Sequence, residues 1–392
     1  MPSSRRGSRW AVVGIVVLAA MVAQGFGRFT YALVLPAVQE DLGISYTLAG
    51  AFGTANLTAY LVGTALVAIT ASRVPLDRMM RIGILGSAAG LIAMWWSPTL
   101  GVLAAAMVLT GLSGAWVWIP APGVSASLIS PERRGLAIGL VGTGIGLGFV
   151  LAGWASRSVA SDWRTLYGTE AVVAVITASL VWIFLRTHTE DRADRRPSLD
   201  ALKAVPGWRR LVVAYAAYGL AMSLFVNFLV ARLEEDAGFG PATTAFVFSA
   251  FGVATIFGGP VFGPLSDRIG RSRAMTIGFS AMSAAAVLAL VGTQPWPSVA
   301  AVIFGLAFAG VPTSLAAQIS DHLTTQQFGA AFGTITLAFG AAQMLGPQIG
   351  GWIGDQTGSF TLVFLLAAGI AVIGATAARG VPDRTTMRLA SP

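Results

Sequence analysis

From Trp10 onward the chain alternates long apolar runs with short polar joints. The runs are roughly 18 to 28 residues each, and about 20 helical residues suffice to cross about 30 Å of hydrocarbon. A helix satisfies its backbone N–H and C=O groups internally, which is the condition for crossing lipid. Six such helices are predicted at roughly 10–36, 48–71, 79–97, 99–124, 135–156 and 165–185. Six more are predicted at roughly 209–231, 243–265, 274–292, 297–318, 329–352 and 360–379. The joint "RTHTEDRADRRPSLDALKAVPGWRR" between the two sets is the longest and most charged. It predicts a linker at 186–208 between an N-terminal bundle, 1–185, and a C-terminal bundle, 209–392.

The two sets resemble each other at a shift of about 195 residues. "QEDLG" at 39–43 falls on "EEDAG" at 234–238, Gly63 on Gly258, and "ASRVPLDR" at 71–78 on "SDRIGRSR" at 266–273. Two six-helix units repeated in one orientation imply a pseudo-two-fold along the membrane normal, with a cavity between them.

Composition supports the pattern. Hydrophobic residues make up 55% of the 392 and charged residues 11%, whereas a soluble chain carries about 25% charge. The fold class expected is therefore an all-α membrane protein.

The net charge of +8 is located rather than diffuse. With the N-terminus in the cytoplasm, all Lys and Arg except Arg28, Arg157, Arg164 and Arg232 fall in cytoplasmic joints or tails. The positive-inside rule thus predicts both termini on the cytoplasmic side of the inner membrane, and it explains the basic balance without nucleic acid. "SSRRGSRW" followed by "LAAMVA" resembles a signal peptide, but the apolar run continues to Pro36, so an uncleaved first helix is expected. There is no cysteine, and the only histidines are His188 and His322, so no metal or cofactor is expected.

"GPLSDRIGRSR", Gly263 to Arg273, resembles the loop signature of the major facilitator superfamily (MFS), in which Gly, Asp, Arg, Gly and Arg recur at this spacing. "PERRG" at 131–135, "DWR" at 162–164 and "GPQIGG" at 346–351 extend the resemblance along the chain. The opening "GFGRFTYALVLPAVQEDLGIS" is similar to a bacterial branch of largely uncharacterised twelve-helix permeases. The resemblance implies twelve helices, a transporter rather than an enzyme, and helices 1, 4, 7 and 10 around the cavity.

It also implies a cytoplasmic gate. Asp267, with Arg268, Gly270 and Arg271, would face the positive N-terminus of helix 5 beside Arg133 and Arg134. The equivalent loop of the first half has Ser72 and Arg73, with Pro75 in place of glycine, and the start of helix 11 reads "TTQQFG" without arginine. An asymmetric closure is expected, or a latch by Asp77 and Arg78 in a shifted register. The arginine of many proton-linked exporters aligns near Thr110, and the helix 5 proline is missing from "GLVGTGIGLGFVLAG". Both departures point away from a standard drug:proton antiporter.

Charge within hydrocarbon costs about 2.5–3.5 kcal/mol on insertion scales, so an intramembrane ion is a functional hypothesis. Arg28 and Glu170 qualify. Gln24 and Tyr31 share a helical face with Arg28 at i−4 and i+3. Similar stripes occur at Asn56 and Tyr60, at Ser223 and Asn227, at Ser314 and Gln318, and at Thr336 and Gln343, while Trp116 and Trp118 add aromatic surface. These residues are expected to line a mostly apolar cavity with one fixed positive charge. Arg28 either holds an anionic solute through its forked guanidinium or fixes helix packing and a gate. Glu170, Glu40 and Asp41 are the candidates for proton coupling, which Arg28 cannot supply because it does not titrate.

Together these features predict alternating-access transport of a small organic solute, led by an organic anion, by a monomer in the bilayer. Coupling to a proton, exchange against a counter-anion and uncoupled facilitative transport are all left open by the sequence. Export of amphipathic or drug-like compounds is the first alternative. A transporter-like sensor is the second, against which the short tail after Arg379 counts.

Overall fold

The computed structural model describes residues 3–70, 73–130, 133–159, 162–185 and 198–382. Among these residues every regular element is helical. The first span is one rod made of α1 (Ser3–Ala20), a π-helical segment (Met21–Phe29) and α2 (Thr30–Leu42). It passes Pro36, its predicted end, because Leu33, Val34, Leu35 and Val38 keep burying apolar surface on both sides of that residue. Gly43, at φ 59°, then stops it in the left-handed conformation that glycine adopts at helix ends.

Next come α3 (Tyr46–Thr70), α4 (Leu76–Trp95), α5 (Leu100–Trp118), α6 (Ala121–Leu128), α7 (Arg134–Val159) and α8 (Trp163–Phe184). The predicted fourth helix is therefore two pieces, parted just before Ala121 at Pro120. Asp162 caps α8 by accepting from the Thr165 N–H at 3.1 Å and its hydroxyl at 2.5 Å, and these bonds hold its carboxyl below the usual range. Beyond the linker lie α9 (Leu199–Lys203), α10 (Trp208–Ala231) with a π-turn at Arg232–Asp236, α11 (Pro241–Ile269) and α12 (Arg271–Leu288). The chain continues through α13 (Trp296–Ser320), α14 (Thr325–Gln343), α15 (Leu345–Thr357) and α16 (Thr361–Arg379). α14 and α15 are one predicted helix, broken at Met344 ahead of Pro347, whose missing N–H cannot continue the ladder.

Ten helices among the described residues are long and apolar enough to cross a membrane, rather than the twelve expected. α4 and α12 fall short of that measure. Asp77, Arg78 and Arg81 open α4, and Arg271 and Arg273 open α12. Both are nonetheless packed among the spans, α4 against α5 and α8, and α12 against α13 and α16.

Small residues set the closest approaches. A Cβ on Gly25 would lie 2.6 Å from the Gly148 Cα, so α7 presses its backbone against the π-helical segment. Gly25→Ala is expected to lower thermal stability by about 1–3 kcal/mol through overpacking. Gly14→Ala, with nothing within 4 Å of its Cβ, serves as the neutral control in the same unfolding measurement.

α7 packs against α11, α3 against α15, and α2 against α10. All three contacts cross the proposed boundary between halves. They concentrate toward the face holding the α2–α3 turn, called here the far face. Gly146 and Gly153 of α7 press on α11, and Gly50 of α3 presses on Pro347. Deeper in the seam, the Phe149 ring lies 4.9 Å from Phe29, 4.7 Å from Phe251 and 6.0 Å from Phe308, forming an aromatic plug. Toward the opposite face, Gly135, Gly139 and Gly142 of α7 and Gly263 of α11 meet nothing within 4 Å. The close approaches between the halves therefore gather on the far face.

Candidate functional site

Arg28 lies at the end of the π-helical segment, half-buried beside an internal cavity. The wider π turn carries Gly25 and Gly27, and insertions of this kind recur at functional sites. The Arg28 Nη1 donates to Gln24 Oε1 at 3.1 Å, and the Gln24 amide in turn donates to the Gly114 carbonyl at 3.5 Å. The guanidinium carbon sits 4.9 Å from the Phe29 ring centre and 5.0 Å from that of Tyr60. Its Nε and Nη2 are buried and have no hydrogen-bond acceptor. Two donors of a permanent cation are therefore enclosed by protein with no hydrogen-bond partner.

The cavity is lined by Arg28, Tyr31, Asn56, Met107, Asn227 and Gln343, together with Phe29, Gly53 and Leu57. Of the polar residues predicted for the site, Tyr31, Asn56, Asn227 and Gln343 thus gather around Arg28, with Gln24 and Tyr60 touching it directly. Ser223 stands behind Asn227, whose amide donates to the Ser223 carbonyl at 2.8 Å and its hydroxyl at 3.2 Å. A larger groove between α7, α11 and α13 is almost wholly apolar and faces away from Arg28, so the small polar cavity is the candidate site.

Some of these side chains are engaged in helix packing. The Tyr31 hydroxyl donates to the Ala49 carbonyl at 2.9 Å rather than meeting Arg28. The Asn56 amide donates to the carbonyls of Gly27 at 3.2 Å and Met107 at 2.8 Å and to the Thr110 hydroxyl at 3.0 Å, joining three spans. Asn56→Ala would leave these buried acceptors short of a donor and is expected to cost about 1–3 kcal/mol in thermal unfolding.

Eight predicted cavity residues lie outside this lining: Gln24, Tyr60 and Ser223, which adjoin it, and five more. Ser314 and Thr336 turn their hydroxyls back onto their own helices, to the carbonyls of Gly310 at 3.1 Å and Phe332 at 2.7 Å. Gln318 reaches the Pro382 carbonyl at 3.0 Å, tying α13 to the chain after α16. Trp116 and Trp118 are half-buried, and the Trp116 indole N–H has no acceptor. A helical stripe in sequence does not distinguish the cavity side of a helix from its seam with a neighbour.

The near-face residues are arranged differently from the expected latch. Asp267 pairs with Arg271 at 2.5 Å, and Arg271 also reaches Asp321 at 3.0 Å and the Ser266 hydroxyl at 2.6 Å. Asp267 is not bonded to Arg133 or Arg134, which are exposed; its carboxylate is taken by Arg271 four residues on. Arg268 and Arg73 are exposed, Gly270 takes φ 97° between α11 and α12, and Ser72 lies outside the described residues. In the register of Asp77 and Arg78, Asp77 pairs with Arg81 of its own helix at 3.7 Å.

The far face carries a latch absent from the sequence reading. Asp355, near the end of α15, accepts from the N–H groups of Tyr46 at 2.8 Å and Thr47 at 2.7 Å, so it caps the start of α3 from across the seam. The Tyr46 hydroxyl adds a bond to Glu235 at 3.1 Å. An acidic residue in "IGDQTG" at a predicted helix end reads as solvated, so no local signal marks it. Asp41, a coupling candidate, is engaged here by Arg164 at 2.5 Å and the Trp163 indole at 3.1 Å, while Glu40 is exposed. Glu170 is buried beside Thr30, whose hydroxyl donates to Oε1 at 2.6 Å.

The family described as "Uncharacterised MFS-type transporter YbfB" matches residues 20–379. The chloramphenicol resistance protein of Streptomyces lividans is 26% identical over 384 residues, covering 95% of this chain and 96% of its own. The hexuronate transporter of Bacillus subtilis (strain 168) is 21% identical over 386 residues, covering 89% of each. The crystal structure of the nucleoside transporter NupG superposes with a TM-score of 0.74 at 14% identity, over 93% of this chain and 98% of that one, and shares its fold.

Proposed function

The chain belongs to the YbfB-type family of the major facilitator superfamily, and on that premise we propose that the small solute it carries across the bilayer is an organic anion held by Arg28. Membership makes it a multi-pass membrane transporter and not an enzyme. The observation that carries the anion reading is the half-buried guanidinium with Nε and Nη2 unpaired beside a polar cavity. A carboxylate there would accept two parallel charge-assisted bonds, which a neutral solute cannot match. The hexuronate transporter among its relatives is named for an anionic solute.

The transport cycle follows from the two faces. The excess of Lys and Arg on the near face and termini supports a cytoplasmic position for them, with the far face outward. The conformation described here is then open inward, and the bundles at 1–185 and 209–392 rock about the aromatic plug to expose Arg28 to either side. Asp355 holds the outer face shut. Asp267, freed from Arg271, takes the start of α7 when the inner face closes.

A second reading is export of a neutral or amphipathic compound. It is favoured by the chloramphenicol resistance protein among the relatives and by the aromatic rings packed around Arg28. Thermal unfolding of the purified protein separates the two. Glucuronate, benzoate and inorganic phosphate represent the anions, with chloramphenicol and tetraphenylphosphonium as the neutral and cationic probes. Stabilisation by one or more of the anions is expected. Stabilisation by chloramphenicol or tetraphenylphosphonium with none by the anions would replace the anion reading with export.

A further inference from the structure

Glu170 is the intramembrane charge that an anion site does not use. It lies in the third turn of α8, about 12 Å along the helix from the Asp162 cap. Its side chain is 2% exposed. Oε1 accepts the Thr30 hydroxyl at 2.6 Å, while Oε2 is buried with no partner at all. An acid in such a setting is costly to keep charged and is a recurrent element of proton relays in membranes.

The charged and titratable groups of the surrounding elements leave it without a counter-ion. Tyr167 of its own helix is its titratable neighbour, and Tyr31 of α2 lies beside Tyr167. Asp41 of α2 is held by Arg164, and Glu40 is exposed. On α4, Asp77 pairs with Arg81, which also donates to the Leu185 carbonyl at the opposite end of α8. Arg9 lies in the second turn of α1, Arg134 and Arg157 sit at the two ends of α7, and Arg157 lies over the Phe246 ring. Arg28 leans on Phe29 and Tyr60 and bonds Gln24. Among the described residues, no cation is bonded to Glu170.

Two features connect this carboxyl to the rest of the machine. Trp163 and Tyr167 precede it at i−7 and i−3, on the same face of α8, and the Trp163 indole bonds Asp41 at the far face. Two aromatic rings with centres 6.1 Å apart thus stand between the far face and Glu170. On the other side, Thr30 follows Arg28 by two residues, directly after the π-helical segment. Solute and acid are therefore held by adjoining positions of one span.

We infer that Glu170 is a proton-binding site of the transport cycle, loaded in the outer-closed conformation and coupled to the Arg28 segment through Thr30. The inference rests on the transporter reading but not on the identity of the solute. The proton sits on Oε2, and Thr30 continues to donate to Oε1. When the proton leaves to water, the carboxylate keeps one hydrogen bond and no cation, so the close packing of α8 on the first span is disfavoured. Water must then enter, and the segment carrying Arg28 moves with it.

The chain contains no cysteine, so Pro98→Cys and Thr293→Cys, exposed in far-face loops of the two halves, give a clean pair of spin-label sites. Distance distributions are recorded from acidic to alkaline pH without any solute. In the otherwise unchanged protein the short, closed distance is expected at acidic pH, with a longer population growing as pH rises. Glu170→Gln should hold the closed distance at every pH, and Asp355→Asn should keep the pH response, which excludes the outer latch as its source. Thr30→Val, should Glu170→Gln fail to fold, is expected to retain the infrared band of the protonated carboxyl while losing the distance response. A Glu170→Gln protein that titrates as the parent does, or a parent that ignores pH, would overturn the inference. Because no solute is present, failure of the anion reading cannot imitate either result.

Discussion

Replacing Arg28 with alanine is expected to abolish stabilisation by organic anions while leaving the solute-free protein folded. Only Nη1 of the guanidinium has a partner, and that partner, Gln24, keeps its own bond to Gly114. Removing the side chain therefore strands no buried counter-charge. Its effect falls on the solute, since truncating one member of a desolvated charge pair costs about 2–5 kcal/mol, roughly thirtyfold or more in affinity. A ligand at one hundred times its dissociation constant stabilises by about 2.7 kcal/mol, so such a loss removes most of the thermal shift. Arg28→Lys should recover part of it, because the charge returns without the planar fork. If anions stabilise Arg28→Ala as they do the parent, the guanidinium is a packing element held by Phe29 and Tyr60, and the solute lies elsewhere.

Asp355→Ala is expected to open the outer face. Its carboxylate takes the two N–H groups that begin α3, and hydrogen bonds to a charged group contribute about 1.5–3 kcal/mol each. Water replaces part of this once the face opens. A net tilt of about 2 kcal/mol still changes the closed-to-open ratio roughly thirtyfold, at 1.4 kcal/mol per factor of ten. Labels at Pro98→Cys and Thr293→Cys should report a longer distance in Asp355→Ala, an intermediate distribution in Asp355→Asn, and no change in Glu40→Ala. An unaltered distribution in Asp355→Ala would mean that apolar contact around Gly50 and Pro347 holds the seam without the latch.

The two faces are held by different chemistry. The near face uses short ion pairs on the α11–α12 loop, which can exchange partners, and the far face uses a carboxylate on backbone N–H groups. The cavity between them is small in this conformation. Arg28, Asn227 and Gln343 therefore come from both halves to one place, so that closing or opening either face changes what surrounds the guanidinium.

The sequence by itself determined the helical membrane class, the positions of most spans and the charge that orients them, because each depends on composition within one short run. It also singled out Arg28 and Glu170, since any charge inside an apolar run is conspicuous. It misjudged the continuation of the first span past Pro36 and the break at Pro120, where packing, not proline alone, decides whether a rod persists. Only the tertiary structure decided which polar stripe faces the cavity: Asn227 and Gln343 do, whereas Ser314 and Thr336 bond their own helices and Gln318 binds the chain after α16. It alone placed Asp355 on α3, a bond between residues more than three hundred positions apart. Helical periodicity names the face a residue shares with its neighbours in sequence; which partner that face meets is fixed by packing between distant segments.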